Sequence, residues 1–409
     1  MSPSSDSFTR ARSWLLLGSM AFTVFLIVTV VAAFGPLLVD LSLALGTSVP
    51  VAGQLVSTAA GTWAVTALLA GPFSDAYGRK PVIVLGVCLL ALGSLGIGLA
   101  PSFGAAAASC IFVGMGGGMV PPTCVSLIGD LFPNARKPVA ISVMTMQPGL
   151  SSVLGVPLAA VIGDAAGWRM PFLLLGLALF VAALMLYVIV PYDRAHRTSL
   201  NLAARLLQVA RFPLTWYMAA TNILSRATWG VLITFFPAFL IVTFGLNTLE
   251  VALPLAVVAI GTTAAPLLGG RIARQRARLR VIAAMLLIAT VPALALFLWS
   301  WNTWSSVFVA GLFMLLSVPA NTMILILIAE TGGTARGTLS GVISCSNWGG
   351  AAAGAAVSGL LVAHVGFGAL SYLICGAILC SGLLMMFRIN DAAMARARTH
   401  FASPETTAR

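Results

Sequence analysis

The segment Gly71-Pro-Phe-Ser-Asp-Ala-Tyr-Gly-Arg-Lys-Pro81 joins two apolar stretches, and a divergent copy of it follows 199 residues later. In the first copy Gly71 is followed by Asp75, Gly78 and Arg79 at +4, +7 and +8. The second copy begins at Gly270 and keeps the spacing, with the residues Arg274, Ala277 and Arg278. The chain therefore repeats a short junction at an interval of about half its length.

The repeat extends beyond this junction. Asp130 and Arg136 are matched 200 residues later by Glu330 and Arg336, and Gly149 is matched by Gly349. A nearly constant offset indicates two similar halves rather than two isolated motifs. Long repeats within hydrophobic sequence are typical of secondary transporters.

The composition places the chain in a membrane. Hydrophobic residues make up 60% of the chain and charged residues 8%, with a mean hydropathy of +1.04, whereas a soluble globular protein carries about 25% charged residues. A membrane-spanning helix needs about 20 mostly apolar residues. We expect twelve such helices, which begin near Trp14, Pro50, Val82, Ala105, Val139, Pro171, Pro213, Leu249, Val281, Trp304, Thr338 and Gly366.

The positive charges predict the orientation. Twenty of the 22 Lys and Arg residues lie in the termini and in alternate connections on one side of the predicted membrane. Positively charged loops stay cytoplasmic, so we expect both termini in the cytoplasm of a multi-pass plasma-membrane protein (the inner membrane of a bacterium). The net charge of +12 is then a topology signal rather than evidence for a nucleic-acid partner.

The predicted organisation has four parts. Residues 1–190 form an N-terminal six-helix bundle, and residues 191–212 form a cytoplasmic linker. Residues 213–390 form a C-terminal six-helix bundle, and residues 391–409 form a cytoplasmic tail. The fold class is all-α, with the two bundles related by pseudo-symmetry.

Several motifs resemble those of the major facilitator superfamily. Segment 71–81 is similar to its Gly-x-x-x-Asp-x-x-Gly-Arg-Lys signature between helices 2 and 3. The stretch from Pro36 to Asp40 and the Gly149…Gly155-Val-Pro157 stretch resemble its 12-helix drug:proton antiporter and sugar-efflux-like branch. One departure concerns helix 4, where Cys110, Val113 and Gly114 replace the family's Arg-x-x-Gln-Gly, so no proton-transfer role follows there.

The resemblance implies a cytoplasmic gate. Asp75 would face the N-terminus of helix 11, which carries about half a positive charge, and Arg79 would pair with Asp130. These contacts would form when the halves close on the cytoplasmic side. Gly71 and Gly78 would allow the tight turn. The predicted gating residues are Gly71, Asp75, Gly78, Arg79, Asp130 and Arg136.

Charged residues inside the predicted membrane are rare. All ten acidic residues map to termini, loops or helix ends, so the chain offers no buried carboxylate for proton coupling; Asp40, near the outer end of helix 1, comes closest. Arg226 instead lies inside helix 7, where an arginine costs about 2.5–3.5 kcal/mol. Asn222 and Trp229, at −4 and +3, share its face.

Two interpretations of Arg226 remain open: a site for an anionic or carbonyl-rich substrate, or a structural arginine bonded to backbone carbonyls. Gln147, Asn321 and Asn347 are further candidate lining residues, although polar side chains also bond between helices. The predicted substrate-binding residues are thus Arg226, Asn222, Trp229, Gln147, Asn321 and Asn347.

Together these observations predict a secondary transporter that moves a small organic molecule by alternating access. By the resemblance it is an efflux permease for a drug or metabolite, with protons as the candidate coupling ion. The alternative is an organic-anion carrier or facilitator that uses Arg226. His196, His364 and His400 are scattered, so we expect no enzymatic activity, no metal site and no cofactor; the family implies a monomer.

Overall fold

A computed structural model describes residues 10–132, 137–191, 211–272, 275–299, 301–331 and 336–402 of the chain. This part of the chain is helical and contains no strand. Apolar helices suit a membrane because every backbone polar group in them is bonded within its own segment.

The N-terminal half of the described chain runs to Pro191 and contains ten α-helices. They are α1 (Arg10–Ala32), α2 (Phe34–Ala44), α3 (Val49–Ala52), α4 (Gln54–Tyr77), α5 (Arg79–Gly98), α6 (Phe103–Leu131), α7 (Lys137–Thr145), α8 (Gln147–Leu150), α9 (Val156–Ala166) and α10 (Arg169–Ile189).

The C-terminal half begins at Arg211 and contains eight more. They are α11 (Pro213–Phe244), α12 (Ala252–Ile272), α13 (Arg278–Ile288), α14 (Thr290–Leu298), α15 (Thr303–Thr331), α16 (Arg336–His364), α17 (Gly368–Phe387) and α18 (Asp391–Ala402). Most of the predicted linker, residues 192–210, lies outside the described residues.

Nine helical stretches in the described residues are long and apolar enough to cross a membrane. Some of them join consecutive segments, such as α13 with α14. The helices α4, α12 and α16, of 24, 21 and 29 residues, are not among the nine. The chain is thus a multi-pass membrane protein, and the count of twelve spans remains a prediction.

Small residues bring the helices of each half close together. A side-chain carbon added at Gly114 or Gly118 would collide with backbone atoms of α4, and one added at Gly116 would collide with α5. Lipid provides no hydrophobic drive between helices, so close packing of this kind is what holds them together.

One π-helical turn, Ser151–Gly155, interrupts the helical segments between Lys137 and Ala166. Beside it, the hydroxyls of Thr29 in α1 and Ser151 share a hydrogen bond of 2.9 Å. Such turns occur often at functional sites. This one lies where α8 and α9 pack against α12, so it belongs to the contact between the two halves of the chain.

Candidate functional site

The junction between α4 and α5 contains the quoted sequence motif. Gly78 ends α4 with φ +93° and ψ 157°, a conformation that side chains rarely allow. The prediction that Gly71 also forms this turn is wrong, because α4 continues through Gly71 to Tyr77. Gly78 alone makes the break. We refer to this end of the molecule as the Arg79 end.

Arg79 is paired at this junction. Its Nε donates to Asp130 Oδ2 at 3.0 Å, and its Nη1 donates to Ser74 Oγ at 2.6 Å. Asp130 is 47% exposed, and an ion pair with one solvated partner contributes about 1 kcal/mol or less.

The Arg79–Asp130 pair joins α5 to α6, and both helices belong to the N-terminal half. It therefore does not bridge the two halves, and the expectation that it forms only when they close stays a prediction. Of the other predicted gating residues, the side chain of Asp75 and the whole of Arg136 lie outside the described residues.

The opposite end, which we call the Asp40 end, does join the halves. Thr248, which follows α11, donates its hydroxyl to Asp40 Oδ2 in α2 at 2.8 Å. Asp40 is half-buried. Asp40 and Thr248 also line a cavity of about 370 Å³ together with Asp164 and Trp168.

Arg226 lies near the middle of α11 and stacks on a neighbouring ring. Its guanidinium carbon is 4.4 Å from the centre of the Trp229 ring, a cation–π contact worth about 0.5–2 kcal/mol. Its Nε is buried and has no hydrogen-bond partner among the described residues. The stack on Trp229 was expected from the i, i+3 spacing.

Asn222 is completely buried, but its amide does not bond Arg226 as the i, i+4 spacing suggested. Its Nδ2 donates instead to Ile343 O at 3.2 Å and to Ser346 Oγ at 2.8 Å, both in α16. Its Oδ1 has no partner in the described part of the chain. Asn222 therefore holds α11 against α16, and its Oδ1 is an acceptor without a hydrogen-bond donor in the described residues.

Three tryptophans extend from Arg226 across the boundary between the halves. Trp229 meets Trp348 of α16 edge-on, with ring centres 6.1 Å apart. Trp348 then stacks on Trp63 of α4 with ring centres at 3.9 Å and an interplanar angle of 21°. This contact links the two halves beside the arginine.

The backbones of α11 and α16 lie in direct contact on both sides of Arg226. Side-chain carbons added at Gly350 and Gly354 would collide with the backbones at Ile223 and Ala227, respectively. Only glycine permits this approach, which brings Ser346 within reach of Asn222. The small residues of α16 thus allow the close helix contact that forms the site.

A cavity of about 90 Å³ lies between the halves next to Trp229. It is mostly apolar, and residues of α1, α2, α9, α11, α12 and α15 line it, among them Pro36, Phe236 and Met314. The Trp229 ring therefore contacts Arg226 and also forms part of the cavity wall. A cation beside an apolar interhelical cavity can hold a small amphipathic anion.

The other predicted lining residues are not joined to Arg226 by any described contact. Gln147 donates to Val143 O in its own helical segment at 2.8 Å. Asn321 is half-buried and makes no hydrogen bond within the described ranges. Asn347 directly follows Ser346, and its Oδ1 is buried without a partner there.

The sequence did not reveal Trp63 or Thr248 as site residues. Trp63 lies in the small-residue helix α4, where a buried tryptophan is conspicuous, so its size was an available signal. Thr248 has no comparable signal, because its partner Asp40 is 208 residues away in the chain.

The family comparison matches nearly the whole chain. The model described as Major Facilitator Superfamily matches residues 20–334 and 218–406. The two matches overlap, which agrees with the internal repeat.

Named relatives are distant. Multidrug resistance protein Stp of Mycobacterium tuberculosis (strain CDC 1551 / Oshkosh) is 32% identical over 145 residues, covering 34% of this chain but only 26% of the relative. The MFS-type transporter YceJ of Bacillus subtilis (strain 168) is 23% identical over 364 residues, or 86% of this chain and 89% of the relative.

A solved structure shares the fold. It is a bacterial homolog of the human lysosomal transporter Spinster in an inward-facing, unoccupied conformation, with a TM-score of 0.70 and 17% sequence identity. The alignment covers 97% of this chain and 99% of that structure.

Proposed function

Because the chain belongs to the major facilitator superfamily of transporters, we propose that it carries a small organic molecule across the plasma membrane by alternating access. In this proposal twelve helices form two six-helix bundles, with boundaries at residues 190 and 213. The termini and the Arg79 end face the cytoplasm, since nearly all positive charges lie on that side. The protein works as a monomer.

Export is the proposed direction. Its support is the similarity to a multidrug resistance protein, which covers about a third of this chain, together with the branch motifs in the sequence. The cargo is then a drug or metabolite that moves outward, with protons as the candidate coupling ion. Flux across proteoliposomes that are acidified on one side tests this coupling: a coupled exporter responds to the gradient, and a facilitator does not.

One observation favours an organic-anion carrier as the second candidate. Arg226 is a cation inside a membrane helix, it has no carboxylate partner in the described residues, and it stacks on a ring that lines the cavity. A structural arginine would bond carbonyl groups, and none bonds this one in the described part. An anionic substrate would compensate the charge.

The gate of the proposed cycle is assigned to Asp75, Gly78, Arg79, Asp130 and Arg136. Asp75 at the end of α4 would meet the N-terminus of α16 when the cytoplasmic side closes. Gly78 fixes the turn, and the Arg79–Asp130 pair braces α5 against α6. Conformational coupling of about 1–3 kcal/mol is enough to shift a two-state population substantially.

The anion site is tested by Arg226→Ala. We expect the variant to lose binding and counterflow of small carboxylates in proteoliposomes, because no other described cation lies near the cavity. Arg169→Ala is the matched control: Arg169 also stacks on a tryptophan, Trp168, at 4.4 Å, but it is the first residue of α10 and does not line this cavity. Wild-type counterflow by Arg226→Ala would disprove the anion site.

A further inference from the structure

Unsatisfied polar atoms are concentrated around Arg226. Seven buried side-chain nitrogen or oxygen atoms in the described residues lack a hydrogen-bond partner, and three of them are Arg226 Nε, Asn222 Oδ1 and Asn347 Oδ1. One is a donor and two are acceptors. A buried polar group without a partner is costly, so such a concentration requires a reason.

The contacts between α11 and α16 place these atoms in one neighbourhood. Asn222 lies one helical turn before Arg226 and bonds Ser346, the residue that precedes Asn347. On the other side, Arg226 stacks on Trp229, which touches Trp348, the residue that follows Asn347. Trp229 and Trp348 thus belong to the same two helices, α11 and α16, that carry the three unsatisfied atoms.

The orientation of the Asn222 amide is fixed by its partners. The backbone carbonyl of Ile343 can only accept a hydrogen bond, so the amide nitrogen must face it. The amide oxygen is therefore the buried atom left without a partner in the described residues, an acceptor that requires a donor. Arg226 does not supply this donor, because its guanidinium lies over Trp229 in the opposite direction along α11.

These atoms restrict the chemistry of the substrate. An apolar drug would leave all three unsatisfied, and an organic cation would be repelled by Arg226. A plain carboxylate would satisfy the guanidinium but would leave the amide oxygens without donors. A molecule that carries a carboxylate and hydroxyl groups satisfies both kinds of atom, and its carbon skeleton can lie against the tryptophan rings.

We propose that the carried anion is a small hydroxycarboxylate, with its carboxylate on Arg226 and its hydroxyl groups donating to Asn222 Oδ1 and Asn347 Oδ1. This inference rests on the proposed organic-anion function. It adds that recognition requires hydrogen-bond donors on the substrate as well as negative charge. Sites that bond a substrate hydroxyl discriminate strongly against analogues that lack it.

The test compares matched pairs of ligands in thermal-shift and equilibrium binding measurements on the full-length protein. The pairs are lactate with propionate, mandelate with phenylacetate, and gluconate with hexanoate. We expect at least one hydroxy acid to bind about tenfold more tightly than its partner, from one or two added hydrogen bonds. Asn222→Leu should remove that preference, so that the two members of the pair bind equally.

Ser381→Ala is the matched control variant. Ser381 in α17 donates to Thr221 O at 3.2 Å, so its loss loosens the same turn of α11 from another side. It should keep the preference for the hydroxy acid. Equal loss of the preference in both variants would mean that Asn222 acts by general packing and would overturn the assignment.

The remaining outcomes separate the two proposals. If every pair binds equally and binding still depends on Arg226, the hydroxycarboxylate inference is wrong and the organic-anion function stands. If no carboxylate binds the wild-type protein, both are wrong. Because the comparison between paired ligands uses wild-type protein, it holds even if a variant fails to fold.

Discussion

At the scale of single residues, the packing around each side chain decides whether its polar atoms have hydrogen-bond partners. Gln147 and Asn321 resemble Asn222 in the sequence, since all three are polar residues in apolar runs. In the structure Gln147 bonds its own helical segment, whereas Asn222 bonds α16 and keeps a free acceptor. The sequence predicted the Arg226–Trp229 stack because helical spacing fixes it. The bonds of Asn222 depend on α16, which no local pattern reveals.

Gly78 gives a residue-scale prediction. Its backbone, at φ +93° and ψ 157°, suits glycine alone, so Gly78→Ala should destabilise the folded protein by about 1–3 kcal/mol. Thermal unfolding in detergent measures the change. Gly104→Ala in α6 is the control, because an added carbon meets no atom within 4 Å there. An unchanged melting temperature in Gly78→Ala would contradict this account of the turn.

At the scale of elements, the apolar runs in the sequence predicted where helices begin but not which helices pack together. The motif predicts the helix break at Gly78. It does not predict that α4 continues through Gly71, because a glycine is tolerated inside a helix that packs against its neighbours. The π-helical turn at Ser151–Gly155 and the Asp40–Thr248 bond also depend on tertiary packing.

The contact between α2 and the segment after α11 gives an element-scale prediction. Thr248→Val keeps the shape of the side chain and removes the donor to Asp40, a hydrogen bond to an acidic group worth about 1.5–3 kcal/mol. The ratio of open to closed molecules at the Asp40 end should therefore rise by about tenfold or more, since about 1.4 kcal/mol is a factor of ten. Spin-label distances between Leu43 and Val365, exposed positions at this end, report that ratio.

Thr399→Val offers a matched control for this substitution. Thr399 lies in α18, where its hydroxyl donates to the backbone carbonyls of Ala395 and Arg396, so the same chemical change occurs far from the Asp40 end. It should leave the distance distribution unchanged. If Thr248→Val also leaves it unchanged, the Asp40–Thr248 bond does not hold that end closed.

At the scale of the whole molecule, the two halves meet at the Asp40 end and at the Trp63–Trp348 stack, with the cavity and Arg226 beside that stack. The repeat of about 200 residues predicts two related halves; the comparisons show the superfamily and its fold, and the division into two related bundles stays a prediction. The Arg79–Asp130 pair lies inside one half. In our proposal, contacts between the halves therefore close the cytoplasmic side.

Alternating access is tested most directly by measuring both ends of the molecule at once. Spin labels at Leu43 and Val365 report the Asp40 end, and labels at Tyr77 and Phe387, also exposed, report the Arg79 end. Both pairs are introduced after the six native cysteines are replaced. When the carboxylate concentration or the pH difference across the membrane is varied, one distance should grow as the other shrinks. Arg226→Ala should remove the response to the carboxylate. Two distances that stay constant, or that rise and fall together, would contradict alternating access.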